Sequence, residues 1–204
     1  MKKLKELLTI EPGSITKENA VDRFTAIAYE LFTNYQINLG ERTFVFTDIE
    51  FYWFDEKTHK DFITYPRTQK AGDWYFNTFG GVDLCFESHI EDGHHCFGGI
   101  LIRGIKELAT TSIYKQPRKC VDILFNHFSA LSMEANFPLL PILTNIKQPV
   151  DNAPKAPAVR VGMPTGEKKK HPLGKIAAYL EYKIELEQPV FEEYLLEKYR
   201  FSSK

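Results

Sequence analysis

The chain has 204 residues, with 26 Lys and Arg against 27 Asp and Glu and a formal net charge of −1. Apolar residues at 43% and charged residues at 26% are ordinary globular usage, which excludes disordered and fibrous classes and suits one domain. The near-neutral balance offers no whole-chain electrostatic case for nucleic acid, while 16 Phe and 10 Tyr against 2 Trp favour a β-rich core.

Cys85, Cys96 and Cys120 are too few and too widely spaced for a disulfide scaffold or a CxxC zinc site, so a reduced, intracellular chain is expected. The opening MKKLKELLTIEPG is broken by Glu6 and Glu11 before an apolar run reaches signal-peptide length. No segment approaches the roughly 20 apolar residues that span a bilayer. The expectation is a cytoplasmic protein with no membrane contact and, by preference, a monomer.

In chain order, Thr16 to Asn34 places Ala20, Phe24, Ile27, Ala28, Leu31 and Phe32 at the three-and-four spacing of a buried helix face, with Thr16 or Ser14 as cap. After Leu39-Gly40, Thr43 to Phe54 reads TFVFTDIEFYWF, a strand apolar on both faces and therefore central. Asp55 to Asp73 reads as a long loop. Trp74 to Phe79, Val82 to Ser88 and Phe97 to Ile105 follow as strands of an antiparallel meander, separated by Gly80-Gly81 and by a turn at Asp92-Gly93. Pro117 opens a helix to Phe128 with Cys120, Val121, Leu124, Phe125 and Phe128 on its apolar side. Residues Pro138 to Pro172 are rich in Pro and Lys, and the tail reads as a strand AAYLEYKIEL and a helix PVFEEYLLEKYRF. The class is α+β, a single domain with a curved, mostly antiparallel sheet and flanking helices.

Charged residues inside apolar strands are expensive and need a partner or a purpose. Glu50 lies between Ile49 and Phe51, on a strand face with Asp48, Tyr52, Phe46 and Phe54; Arg103 lies in ILIRGI, on a face with Leu101 and Ile105. Each can serve as the other's counter-ion. Two readings stand side by side: a structural ion pair, or a carboxylate general base held ionised by Arg103, with Tyr52 offering an aromatic face to a planar ligand.

His89, His94, His95 and Cys96 surround the Asp92-Gly93 turn, but neighbouring histidines on a strand point to opposite faces, so a polar hairpin tip accounts for them and no metal is expected. From Lys147 to Lys175 the chain carries Lys147, Lys155, Arg160, Lys168, Lys169, Lys170 and Lys175 against Asp151 and Glu167, a basic region able to face phosphates, with Lys168, Lys169 and Lys170 as the phosphate-binding candidates.

The order of these motifs resembles the methylpurine (3-methyladenine, alkyladenine) DNA glycosylases of the single-domain α+β type. DIEFY, Asp48 to Tyr52, is similar to the family's ETEAY; His59 in KTHKD stands where the family has a following histidine. WYFNTFGGVDLCFE, Trp74 to Glu87, is similar to LYVYIIYGMYFCMN without a gap, and CFGGILIRGIKEL, Cys96 to Leu108, to CVLLRALEP. QPRKCVDIL, Gln116 to Leu124, resembles GPSKLCQAL, and VRVG, Val159 to Gly162, resembles ARVG. The resemblance covers about residues 20 to 165.

It implies a monofunctional N-glycosylase that hydrolyses the glycosidic bond of an alkylated or deaminated purine in base-excision repair, with damaged DNA as partner and no cofactor. Glu50 falls on the catalytic carboxylate that activates water, Arg103 on the arginine that holds it, and Tyr52 and His59 on base-pocket residues. Three positions depart from the pattern: Gly80 stands at the family's wedge tyrosine, beside Phe79 at the hairpin tip, Asn77 at a stacking tyrosine, and Glu87 at an asparagine that gates the pocket. They suit the alternative, a glycosylase-fold protein without DNA repair activity that binds or hydrolyses a nucleobase- or nucleoside-like small molecule.

Overall fold

The computed structural model describes residues 2–91, 93–125, 140–147, 150–163 and 176–203. The apolar stripe of the first long helix, α2 (Ala20–Asn34), buries Ala20, Phe24, Ile27, Ala28, Leu31 and Phe32. It follows a short α1 (Lys2–Leu8). The helix begins later than Thr16: Thr16 turns back to bond the side chain of Asn19, which stands at the cap position. Stripping water from that stripe, at about 25 cal/mol per Å² of apolar surface, holds α2 on the sheet.

Ten described strands form one antiparallel sheet in the order β4-β5-β7-β2-β1-β9. In chain order these are β1 (Tyr35–Leu39), β2 (Arg42–Asp55), β3 (His59–Lys60), β4 (Trp74–Phe76), β5 (Val82–Cys85), β6 (His89–Glu91), β7 (His94–Glu107), β8 (Ile113–Lys115), β9 (Ile142–Asn145) and β10 (Arg200–Ser202). β3 and β10 pair β2, and β6 and β8 pair β7. The expected central strand is β2, and with the equally long β7 it forms the spine of a curled sheet. The class is α+β. Among the described residues no helix is long and apolar enough to cross a membrane.

Two bulges face each other across the spine. The register runs Phe46↔Ile105, Asp48↔Gly104 and Ile49↔Ile102, so Thr47 on β2 and Arg103 on β7 are each an extra residue. This corrects the simple alternation. Phe46 packs against Phe32 of α2 and Phe51 stacks on Phe24 of the same helix, so Phe46 lies on the helix side, opposite Glu50, and its partner Ile105 goes with it. A Cβ on Gly104 would stand 2.6 Å from the Thr47 hydroxyl and 3.0 Å from the Asp48 Cβ, so the double bulge closes only because that residue is glycine.

The C-terminal region departs from the sequence reading. Residues 177–186 do not form a strand: α4 (Ile176–Glu181) occupies their first half, drawn from the good helix formers Ala, Leu and Glu, and buries Tyr179. The expected helix from Pro189 to Phe201 stops early, as α5 (Gln188–Glu193) and one 3-10 turn (Tyr194–Leu196). The remaining residues form β10, because β2 offers unpaired backbone groups beside its bulge and Arg200 meets Asp48 through two bonds of 2.9 and 2.7 Å. The helix from Pro117 is described as α3 (Pro117–Phe125); Phe128 lies outside the described residues.

Candidate active site

The spine carries two chemically different faces. Toward α2, β2 presents Ile49, Phe51 and Trp53, all fully buried. The other face carries Asp48, Glu50 and Tyr52, and the bulge at Arg103 turns that guanidinium toward them.

Glu50 has no solvent exposure (0%). Its Oε2 accepts from the Tyr52 hydroxyl at 3.0 Å and from Arg103 Nη1 at 3.3 Å, and its Oε1 accepts the backbone N–H of Val161 at 2.6 Å. Burial raises its pKa above the ordinary carboxylate range, and Arg103, the Val161 N–H and Tyr52 hold it back only in part. Tyr52 stays a phenol, because burial and the adjacent Glu50 push its pKa well up. The expected counter-ion pair therefore forms, and Tyr52 joins it.

Around this centre runs a chain of alternating charge. Arg200 binds Asp48, and Arg103 Nε lies 3.9 Å from Asp48 and Nη1 3.3 Å from Glu50. On the far side Arg160 stacks over the Tyr52 ring at 4.8 Å and over Tyr199 at 5.1 Å. It donates to Asp61 at 2.6 and 3.3 Å and to the Tyr194 carbonyl at 2.8 Å. Asp61 and Arg160 are both fully buried in their side chains. Arg160 is therefore part of the core and not of a basic surface; its neighbour Val161 is what reaches Glu50. Sequence reasoning missed Asp61 and Arg160 as site-shaping residues. The arginine inside VRVG, between two apolar residues, is the same signal that drew attention to Arg103.

His59 is placed differently from Tyr52. It is fully buried on the helix side, its ring 6.2 Å from Phe24. Nδ1 donates to the Trp53 carbonyl at 2.9 Å and Nε2 accepts from the Tyr199 hydroxyl at 3.0 Å. Burial lowers its pKa, which keeps this neutral tautomer.

The meander edge carries the remaining candidates. Asn77 builds the β4–β5 turn: its Oδ1 accepts the N–H groups of Phe79 and Gly81, both at 3.1 Å, and its amide donates to Asp83 at 3.2 Å. Asp83 pairs with Arg67 at 2.8 Å, deep in the sheet. Gly80 has φ +78°, which this tight turn requires, and Phe79 at the tip is 79% exposed. Between the hairpin and α3 lies a cleft of about 310 Å³ with Phe76, Gly80, Arg118 and Phe125 in its wall. Glu87 accepts the Ala71 N–H at 2.8 Å and pairs with Lys70 at 3.1 Å, fixing the loop that precedes β4. Lys168, Lys169 and Lys170 lie outside the described residues.

Compared with known proteins, the chain matches no family model, no curated protein and no solved structure. What the site can do rests on its own chemistry: a dry carboxylate with a raised pKa, one arginine, one phenol and one backbone N–H, gathered by two bulges and a loop.

Proposed function

We propose that the chain is a divergent N-glycosylase of the methylpurine DNA glycosylase type, hydrolysing the glycosidic bond of an alkylated or deaminated purine, with Glu50 as general base for water. The observation that carries this reading is Glu50 itself. A carboxylate that is fully buried, yet held by Arg103, Tyr52 and the Val161 N–H, has its pKa raised above its ordinary value, the direction that strengthens a general base. Arg103 orients the carboxylate and tempers the rise, Tyr52 donates to the same oxygen, and hydrolysis by this route uses no cofactor. Phe79, exposed at the hairpin tip next to Gly80, whose own neighbour is the Arg118 side chain, provides the aromatic group able to enter a base stack.

The test is release of free base. The purified chain is incubated with duplex and single-stranded oligonucleotides carrying one alkylated or one deaminated purine, and the supernatant is separated by chromatography. Free base appears with wild type, and Glu50→Gln lowers the rate by roughly 10²–10⁴-fold with an unchanged circular dichroism spectrum. No base release from any substrate, together with no DNA binding at low salt, overturns the DNA reading.

A second reading has its own support. Asn77 is committed to its turn and cannot form an aromatic wall, and Glu87 adds a carboxylate near the same edge. Both suit a small nucleoside-like ligand better than a DNA strand. Release of base from free nucleosides but not from oligonucleotides selects it.

A further inference from the structure

On the helix side of β2, away from Glu50, three donors of different chemistry converge. Asp55 is the last residue of β2, Cys96 is its direct partner on β7, and His94 lies two residues before Cys96 on the same strand face. A carboxylate oxygen of Asp55, an imidazole nitrogen of His94 and the Cys96 sulfur all lie within 4.8 Å of one another. A tetrahedral zinc ion with bonds of about 2.0–2.3 Å sets its ligand atoms about 3.3–3.7 Å apart, so closing the set moves each atom by about 1 Å or less.

The set is held by protons. His94 Nε2 donates to Asp55 Oδ1 at 3.1 Å, and the Cys96 thiol donates to the same carboxylate. A divalent cation supplies in one stroke the positive charge that these two donors share out. Asp55 is already aimed: its Oδ2 accepts the Gly13 N–H at 2.7 Å and its Oδ1 the N–H groups of Lys57 and Thr58 at 2.9 and 3.2 Å. Backbone donors of this kind orient ligating carboxylates from behind.

A fourth donor stands one strand over, outside the three whose ligand atoms lie within 4.8 Å of one another, and has to swing in to complete the set. His89 on β6 is the direct partner of Cys96 on the side away from Asp55, so Asp55, Cys96 and His89 stand in one row across three strands. Its Nε2 is buried without a hydrogen-bond partner. His95 points to the other face and is taken up by Glu56 at 2.7 Å.

We propose that Asp55, His94, Cys96 and His89 form a structural zinc site that ties the N-terminal segment at Gly13 and the β2–β3 turn to the β6–β7 hairpin. Thiolate and imidazole ligands select zinc over magnesium or calcium. Binding replaces the thiol proton and shifts the His94 tautomer: the sulfur–hydrogen bond breaks, a sulfur–zinc bond forms and that proton leaves to solvent, while the His94 Nε2–H bond breaks, Nε2 binds zinc and Nδ1 gains a proton from solvent, so the imidazole stays neutral. The site is independent of the chemistry at Glu50.

The purified full-length chain, stripped with chelator, is titrated with Zn²⁺ by calorimetry and with Co²⁺ by visible absorption. One equivalent binds, Zn²⁺ raises the melting temperature, and Co²⁺ produces the thiolate charge-transfer and intense d–d bands of a tetrahedral sulfur-bound ion. Cys96→Ala abolishes the charge-transfer band, His94→Ala weakens Zn²⁺ binding roughly 100-fold, His89→Ala weakens it roughly 10-fold, and His95→Ala leaves it unchanged. Circular dichroism confirms that each variant folds. Two results overturn the proposal: no stoichiometric binding by the folded wild type, or binding that His94→Ala and Cys96→Ala leave intact. Unchanged affinity in His89→Ala overturns the fourth ligand alone.

Discussion

The two faces of β2 each bury a carboxylate, and the pair respond oppositely to the same burial. Glu50 and Asp55 are both fully buried, and dehydration pushes both upward. Glu50 receives one backbone N–H, a phenol and an arginine at 3.3 Å, and its pKa stays raised. Asp55 receives three backbone N–H groups, a histidine and a thiol, and its pKa is lowered. Fixed dipoles aimed at both oxygens outweigh the loss of water, whereas one arginine at the edge of bonding distance does not. Glu50 is thereby suited to exchanging a proton and Asp55 to remaining an anion that holds a turn, or a cation.

The comparison breaks most heavily at Asp61. Asp61→Ala leaves Arg160 as a buried unpaired guanidinium, costs about 3–5 kcal/mol in urea unfolding, and withdraws the Val161 N–H from Glu50. A cost below about 1 kcal/mol would mean that Arg160 does not depend on this partner. Next comes Asp55→Asn, which keeps one acceptor oxygen in place of two. In the presence of chelator it costs about 2 kcal/mol, and the same change at Glu50 costs less because fewer N–H groups depend on that carboxylate.

The pH behaviour sharpens the contrast. A lowered folded-state pKa means that Asp55 contributes stability in full above the ordinary carboxylate range and loses it as pH falls through its folded value. Glu50, with a raised value, favours its protonated form on folding, so its ionisation lowers stability as pH rises from the ordinary range through the folded value. In Arg103→Gln the counter-charge is gone, Glu50 rises further, and under the proposed N-glycosylase function the acid limb of base release moves to higher pH. A limb that stays in place would show that Glu50 is not the titrating base.

The smallest effect belongs to Glu107, a third carboxylate, which Arg42 brings down to about 2 through its hydrogen bonds. Arg42→Gln costs under about 1 kcal/mol at neutral pH, since Arg42 is itself partly exposed. The difference from wild type disappears as pH falls from the ordinary carboxylate range through about 2, which acid titration of stability would follow.

Much of the site was legible because it violates a simple rule. Glu50 and Arg103 are charges inside apolar strands, and their pairing follows from the cost of leaving either alone. Tyr52 joins because residues two apart on a strand share a face. His59 went the other way: the residue type and its place after β2 suggested a pocket, whereas its two ring nitrogens are taken by Trp53 and Tyr199 in the core. The bulges at Thr47 and Arg103 were invisible, since alternation assumes an unbroken register. Arg200 and Phe201, the end of the expected helix, form a strand instead, because β10 exists only where β2 has free backbone groups to pair.

By itself the sequence determined the α+β class, the long helix, the central strand, the hairpin at Gly80-Gly81 and the pairing of one buried acid with one buried base. These depend on local periodicity and on the cost of burying charge, which are properties of neighbouring residues. Only the tertiary structure decided which carboxylate has its pKa raised and which has it lowered, that Arg160 serves Asp61 and Tyr52 rather than solvent, and that Asp55, His94 and Cys96 meet. Those outcomes depend on dipoles and donors that arrive from tens to a hundred residues away, and no local pattern carries their direction.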